Sequence, residues 1–326
     1  MKTETSTKIV SYIKSRGKAG PSELADLLGI SPQAVHAQLR KLVQKGIIFR
    51  VGAPPNTLYA LAEPKHSFPE LDVGVEQDIV ASFSYLDPTG KLLSGREAFE
   101  GWVSAKTLEN DFVALAKAFS RTIKDIYGSK NVRPIDTLPR LKTILSSCVL
   151  DSAHVSDFYA LPQFGKTNLG NLIHAIKTAF NPRILETIAQ SVEQDILSLV
   201  KSQNIDAIVY VPHSIPRKKQ FLPALRRRLQ IPLPEIVVRK VFYGNIPVAQ
   251  KSLAKLQERV ENAQKTIYIE SQAIKARNVL IIDDAIGSGA TINEIARKLL
   301  KDFKVKQCHA FAIVGSYKGF DVISTV

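Results

Sequence analysis

The apolar residues of this chain change rhythm along its length. Over residues 1–62 they first recur at helical spacing in short blocks. Ile9, Val10 and Ile13 mark an amphipathic helix ended by Gly17. Ser22 stands as an N-cap before Glu23, Leu24, Ala25, Leu27 and Leu28, and Gly29 permits a tight turn. Ser31 caps a third helix with Pro32 at its first position. In that helix Val35, Leu39 and Leu42 share one face, while Gln33, Ala34, His36, Arg40 and Lys41 lie on others, until Gly46 ends it. Residues 47–51 and 57–61 then read as two strands of a hairpin around residues 52–56. Pro64, Pro69 and Gly74 interrupt any period, so residues 63–80 read as a linker.

Residues 81–204 read as a mainly helical middle region. Ser84 to Gly95 predicts a hairpin turning at Asp87-Pro88-Thr89-Gly90, and Phe99, Trp102 and Val103 are core candidates. Helical spacing recurs over 108–127, 138–149, 169–180 and 184–202. No chemistry stands out there. His154 and His174 have no metal-ligand spacing and read as structural or solvated.

From Ile205 short unbroken apolar runs alternate with helical stretches. The runs at 207–211, 236–238, 266–269, 279–282 and 308–314 suit buried strands, and 219–230, 252–263 and 291–303 suit helices. The expected fold class is α/β, with a doubly wound, mostly parallel C-terminal sheet over 205–326 and an added α+β domain at the N-terminus.

Composition narrows the function classes. Of 326 residues, 45% are apolar and 23% charged, as in a globular protein with real cores. No apolar run approaches the roughly 20 residues of a membrane helix. The N-terminus has no continuous apolar core, so it does not read as a signal peptide. Cys148 and Cys308 form no metal motif, and reduced thiols in a cytoplasmic protein are expected. The net charge of +14 favours polyanionic partners over membranes. It is concentrated: residues 1–62 hold nine Lys and Arg against three Asp and Glu, and residues 213–240 hold eight against one.

Residues 279–291, VLIIDDAIGSGAT, carry the sharpest chemical signal. A strand, a small-residue turn and a helix N-terminus form a phosphate cradle, because glycines admit the anion to unpaired N–H groups at the positive end of the helix dipole. The carboxylates of Asp283 and Asp284 would repel a phosphate unless they hold ribose hydroxyls or a Mg²⁺ ion on the same ligand. No Gly-Lys-Ser/Thr follows, so the loop is not of the Walker A kind. An ordinary buried strand and turn would leave the double acid without purpose.

This segment resembles the phosphoribosyl-diphosphate (PRPP) loop of type I phosphoribosyltransferases. The resemblance covers residues 205–326. It implies that Asp283 and Asp284 hold the ribose hydroxyls and that Gly287, Ser288, Gly289, Ala290 and Thr291 hold the 5′-phosphate. It also places a pyrophosphate loop after the first strand, at His213, Ser214 and Arg217, with Mg²⁺ arriving on the ligand's pyrophosphate and no direct metal motif in the chain. Residues 239–264 are similar to the competence-protein ComF group, through Gln250, Leu253, Arg259 and Asn262. That likeness implies a flexible loop with Arg239 or Lys240 on phosphate oxygens. The Arg-Gly-Phe-Asn segment usual in that group is absent.

Residues 1–62 are similar to winged-helix regulators of bacterial transcription. The resemblance puts the third helix in the DNA major groove, with Ser31 at its start and Gln33 and His36 near base edges. Arg40, Lys41, Lys45 and Arg50 would meet phosphates. A winged helix used for protein contacts is the alternative. Together the two modules imply a DNA-binding regulator whose C-terminal domain binds PRPP or a related phosphorylated nucleotide, with a homodimer expected for paired half-sites. An active phosphoribosyltransferase is the second reading, although Gly287 stands where purine-type members carry a carboxylate base. A nucleotide-linked regulator of a defence or toxin–antitoxin operon is a third. Residues 81–204 would supply a hood over the ligand or a dimer interface.

Overall fold

The computed structural model describes residues 2–52, 56–62, 67–128, 133–214, 219–242, 253, 255–270 and 275–317. The chain divides into two compact units, Met1–Phe68 and Pro69–Val326.

In the first unit, helices α1 (Lys2–Arg16), α2 (Pro21–Leu28) and α3 (Pro32–Gln44) precede the antiparallel strands β1 (Ile48–Val51) and β2 (Leu58–Leu61). Ile9, Ile13, Leu24, Val35, Leu39, Leu42 and Ile48 form its core, as the periodicity required. Ala19 and Tyr59 add a bridge that ties the turn after α1 to the hairpin. The start of α2 differs from expectation. Gly20, not Ser22, is the N-cap, and the Glu23 carboxylate reaches back to accept from the Gly20 N–H at 3.3 Å.

The second unit opens inside the segment expected to be a linker. Helix α4 (Val73–Ser82) begins with Asp72 as its cap, which puts Gly74 in the first turn. A single glycine costs a helix only about 0.5–1 kcal/mol of backbone entropy relative to alanine, so Gly74 does not prevent it. The hairpin β3 (Ser84–Leu86) and β4 (Leu92–Ser94) follows as expected, then α5 (Gly95–Ala105) and α6 (Phe112–Tyr127). Phe83, Phe99, Trp102, Phe112 and Phe119 pack edge to face and stacked at centroid distances of 4.9–6.4 Å.

The middle region is less helical than its periodicity implied. Strands β5 (Ile135–Asp136) and β6 (Ser152–Phe158) join the main sheet, separated by α7 (Leu138–Ile144). A small hairpin, β7 (Ala160–Leu161) with β8 (Gly165–Lys166), leads to α8 (Asn168–Thr178) and α9 (Pro182–Ser202). The sheet then takes β9 (Ala207–Tyr210), β12 (Asn278–Ile286) and β13 (Gln307–Gly315) in the order β5-β6-β13-β12-β9. All neighbours are parallel except β5, which is antiparallel at the edge. The sheet therefore draws strands from both sides of the 204/205 boundary placed by sequence. The sequence of β6, SAHVSDF, hid it, because His, Ser and Asp break the apolar run that marks a buried parallel strand.

Helix α10 (Phe221–Leu229) follows β9, and β10 (Val238–Lys240) pairs antiparallel with β11 (Ile267–Ile269), with α11 (Leu256–Thr266) between them. The strand expected at 236–238 thus starts two residues later and stands off the main sheet, to which Glu235 adds only one parallel bridge, with Ile208. Helix α12 (Ala290–Asp302) links β12 to β13. Both sheet faces are buried. Val279, Ile281, Cys308, Ala310 and Ala312 face one core, and Leu280, Ile282, Phe311 and Ile313 face the other. Among the described residues no helix is long and apolar enough to cross a membrane. Cys148 and Cys308 are free thiols, the second buried.

Candidate functional site

In a parallel sheet the crevice beyond the carboxyl ends of the strands is where ligands sit. Here that edge gathers the ends of β9, β12, β13 and β6. Strand β12 runs four residues past the apolar run, so Asp283 and Asp284 belong to the strand instead of following it. Asp283 stands opposite Ala312 of β13, beyond the last residue that pairs with β9.

Asp284 is held by Lys177 of α8, whose Nζ lies 2.8 Å from Oδ1 with both side chains about a quarter exposed. Two features place Lys177 there. The Thr167 hydroxyl caps α8 by accepting from the Gly170 N–H at 3.0 Å. Gly170 lets the helix approach the end of β6, since a Cβ there would lie 1.9 Å from the Tyr159 carbonyl. Lys177 was missed by sequence because a lysine in the last turn of a helix normally answers only the helix dipole. Among the described residues no cation forms an ion pair with Asp283, and Lys177 only partly offsets its shift. Burial first, and the neighbouring Asp284 charge second, raise its carboxyl well above the ordinary aspartate range.

The turn after β12 delivers the chain to the N-terminus of α12. Gly289 is the N-cap, with φ of 74°, and a Cβ there would meet Leu141 Cδ2 at 2.8 Å. The helix starts at Ala290, one residue before Thr291. Ser288, Gly289 and Ala290 are buried, whereas Gly287 and Thr291 are half-buried. Asn293 fixes the covering segment by donating to the Ser147 carbonyl and accepting from the Val149 N–H, both at 2.8 Å. The first-turn amides and dipole of α12 make this end electropositive.

The loop after β9 lies against the same edge, since the Val211 N–H bonds the Ile282 carbonyl. His213 is exposed and Ser214 half-buried; Arg217 lies outside the described residues. Lys240 donates to Ser214 Oγ at 3.2 Å, and burial pushes its ammonium below the usual lysine range. No carboxylate pairs with it among the described residues. Its neighbour Arg239 faces the other way, as alternation along β10 requires, and pairs with Glu270. Of the two residues expected over the ligand, the structure brings Lys240 to the edge and ties Arg239 elsewhere. Gln250 lies outside the described residues, and the Leu253 carbonyl accepts from Arg259 Nε at 2.9 Å.

At the ends of β6 and β13 lie two features that sequence reasoning did not find. Asp157 is buried, accepts from Tyr127 Oη at 2.5 Å and from the Phe158 N–H at 2.7 Å, and has Arg133 at 3.6 Å. Arg140 of α7 donates to the Ser316 carbonyl at 2.8 Å, with its guanidinium 4.8 Å from the Tyr317 ring centre and 5.4 Å from that of Phe158. Neither had a local motif, since Tyr127 and Asp157 lie 30 residues apart and Arg140 and Ser316 lie 176 apart.

Among the described residues no cluster of three or more His, Cys, Asp and Glu could hold a metal. Of the two acids at the edge, Asp284 is paired with Lys177, and the Asp283 carboxyl is raised by burial and by the Asp284 charge. Mg²⁺ would suit the site as an ion carried on a ligand's phosphates, with water completing its shell.

The first unit presents a separate surface. Ser31 Oγ accepts from the Ala34 N–H at 3.3 Å, which fixes the start of α3. Gln33, His36, Arg40, Lys41, Lys45 and Arg50 are all exposed, while Val35, Leu39 and Leu42 anchor the opposite face. None of these four cations has a carboxylate partner among the described residues, and Arg50 bonds only Thr57 Oγ1, at 3.2 Å.

Residues 2–48 match the family described as winged helix-turn-helix DNA-binding. Residues 219–321 match the phosphoribosyl transferase domain family. No curated protein matches the chain. The chain carries an N-terminal winged helix-turn-helix domain and a C-terminal phosphoribosyltransferase domain.

Proposed function

We propose that this protein is a DNA-binding transcriptional regulator whose phosphoribosyltransferase domain binds PRPP, or a related phosphorylated nucleotide, as its effector. The observation that carries the reading is the convergence at one sheet edge of an acid pair, a glycine-capped helix N-terminus and the half-buried Lys240 beside Ser214. In this reading Asp283 and Asp284 hold ribose hydroxyls. Residues 287–291 hold the 5′-phosphate, and His213, Ser214, Arg217 and Lys240 hold the Mg²⁺-bound pyrophosphate. The basic, carboxylate-free surface of α3 supports DNA as the second partner. Two copies on paired half-sites complete the picture, in the cytoplasm where DNA and nucleotides meet. The ComF-like likeness of residues 239–264 belongs to the same reading.

The physical logic is linkage: an effector that binds the DNA-competent state with different affinity shifts DNA affinity by the same factor. Fluorescence anisotropy on DNA from upstream of the gene, with and without Mg²⁺-PRPP, tests it. Specific binding that changes with PRPP is the expected result. Specific binding indifferent to PRPP removes PRPP as the signal. The second reading, catalysis, is favoured by the match to a transferase family. Release of pyrophosphate from PRPP with a nucleobase would establish it.

A further inference from the structure

Arg140 stands out as a cation with no anionic partner among the described residues, at the edge where the ligand is proposed to bind. Two links place it there. Its chain neighbour Leu141 fills the space above Gly289. Ser316, whose carbonyl accepts from Arg140 Nη1 at 2.8 Å, donates its own N–H to the carbonyl of Ile286, the residue before Gly287. Arg140 therefore borders the proposed phosphate cradle from the β13 side. The rings of Tyr317 and Phe158, themselves edge to face at 5.5 Å, flank the guanidinium. Stacking on rings orients the planar fork, and only one of its five N–H donors is used by Ser316.

We propose that Arg140 reads the base of a bound nucleotide and selects one whose edge offers two adjacent acceptors, as the O6 and N7 edge of a 6-oxopurine does. This rests on the proposed phosphoribosyl site. A guanidinium matches such an acceptor pair bidentately. Adenine presents an N6 donor beside N7, and that donor opposes the fork. The aromatic neighbours favour a planar ligand over a second phosphate, which needs charge but no ring beside it. Tyr317, half-buried at the end of β13, supplies the stacking face.

Calorimetric titration of the full chain with GMP, AMP and PRPP, each with Mg²⁺, tests the assignment. The wild type is expected to prefer GMP to AMP. Arg140→Gln is expected to weaken GMP by about 5- to 150-fold, the equivalent of the ~1–3 kcal/mol of one bidentate contact, and to leave AMP and PRPP nearly unchanged. Arg140→Lys keeps the charge but not the fork, and is expected to lose the preference as well. Thermal melting of both variants separates this loss from unfolding; should both unfold, the wild-type GMP-to-AMP ratio alone decides. Equal binding of GMP and AMP by the wild type overturns the proposal. So does an Arg140→Gln protein that loses GMP and PRPP alike, which would make Arg140 a clamp on the β13 end. PRPP binding without base preference sinks the role of Arg140 alone, whereas failure of all three ligands to bind sinks the phosphoribosyl site itself.

Discussion

Asp283 shows how a residue proposed to bind ligand acts against the fold that carries it. Burial and the Asp284 charge raise its carboxyl. Below the unfolded aspartate value of about 3.9 both folded and unfolded chains hold the proton, and the residue carries no penalty. As pH rises past that point the unfolded chain releases its proton first, so stability falls until the raised folded value is passed and then levels off. Asp283→Asn removes this penalty. The variant should melt above the wild type at pH 8, with the difference vanishing toward pH 4. Melting curves across that range that stay parallel would remove the argument from a raised Asp283 carboxyl. The same chemistry predicts a cost in function. The double variant Asp283→Asn with Asp284→Asn should remain folded and lose PRPP binding. Calorimetry showing unchanged PRPP affinity in that folded protein would take the ribose role from this pair.

At the level of elements, two helix N-termini carry the proposed functions. The start of α12 depends on Gly289, which combines a left-handed backbone with a close approach by Leu141. Gly289→Ala should cost about 1–2 kcal/mol for the left-handed conformation alone, and more for the displaced Leu141. Leu141→Ala in the same chain should recover the steric part in a double-mutant cycle. Additive losses would mean that the two residues do not meet. The start of α3 is fixed by Ser31 and Pro32, and its exposed face carries Arg40. Arg40→Ala should weaken DNA binding across sequences and lower the slope of log affinity against log salt by about one. An unchanged slope in anisotropy titrations would move the phosphate contacts off this helix.

For the whole molecule, the proposal requires that ligand binding in the second unit alter DNA affinity in the first. Each unit has its own core, so each can act as a body. Charge joins their tasks: both the winged helix and the residues around β9 and α10 are rich in Lys and Arg, which suits two different polyanions. Residues 73–127 pack as an aromatic-centred cluster within the second unit, extended by Phe164 of the β7–β8 turn against Trp102 and Phe119. The Asn171 side chain of α8 donates to Ser84 Oγ at 3.2 Å, and the same helix carries Lys177 to Asp284. Helix α8 thus connects that cluster to the acid pair of β12, and a hood over the proposed ligand is the role we propose for it.

What the sequence determined by itself follows from local physics. The three helices and hairpin of residues 2–61 were readable because glycines and prolines punctuate them and each has a single apolar face, although the cap of α2 was not. The VLIIDD run and its glycine turn were readable because a buried strand, a turn and a helix start lie within thirteen residues. Tertiary structure alone decided the rest. It inserted β6 between β5 and β13, since pairing between strands over 150 residues apart leaves no local pattern when the strand carries His, Ser and Asp. It separated Arg239 from Lys240, because a two-residue alternation cannot say which face meets the site. It brought Lys177, Arg140 and Asp157 to the sheet edge from elements with no motif of their own, because a side chain's neighbours across a fold are set by packing and not by spacing along the chain.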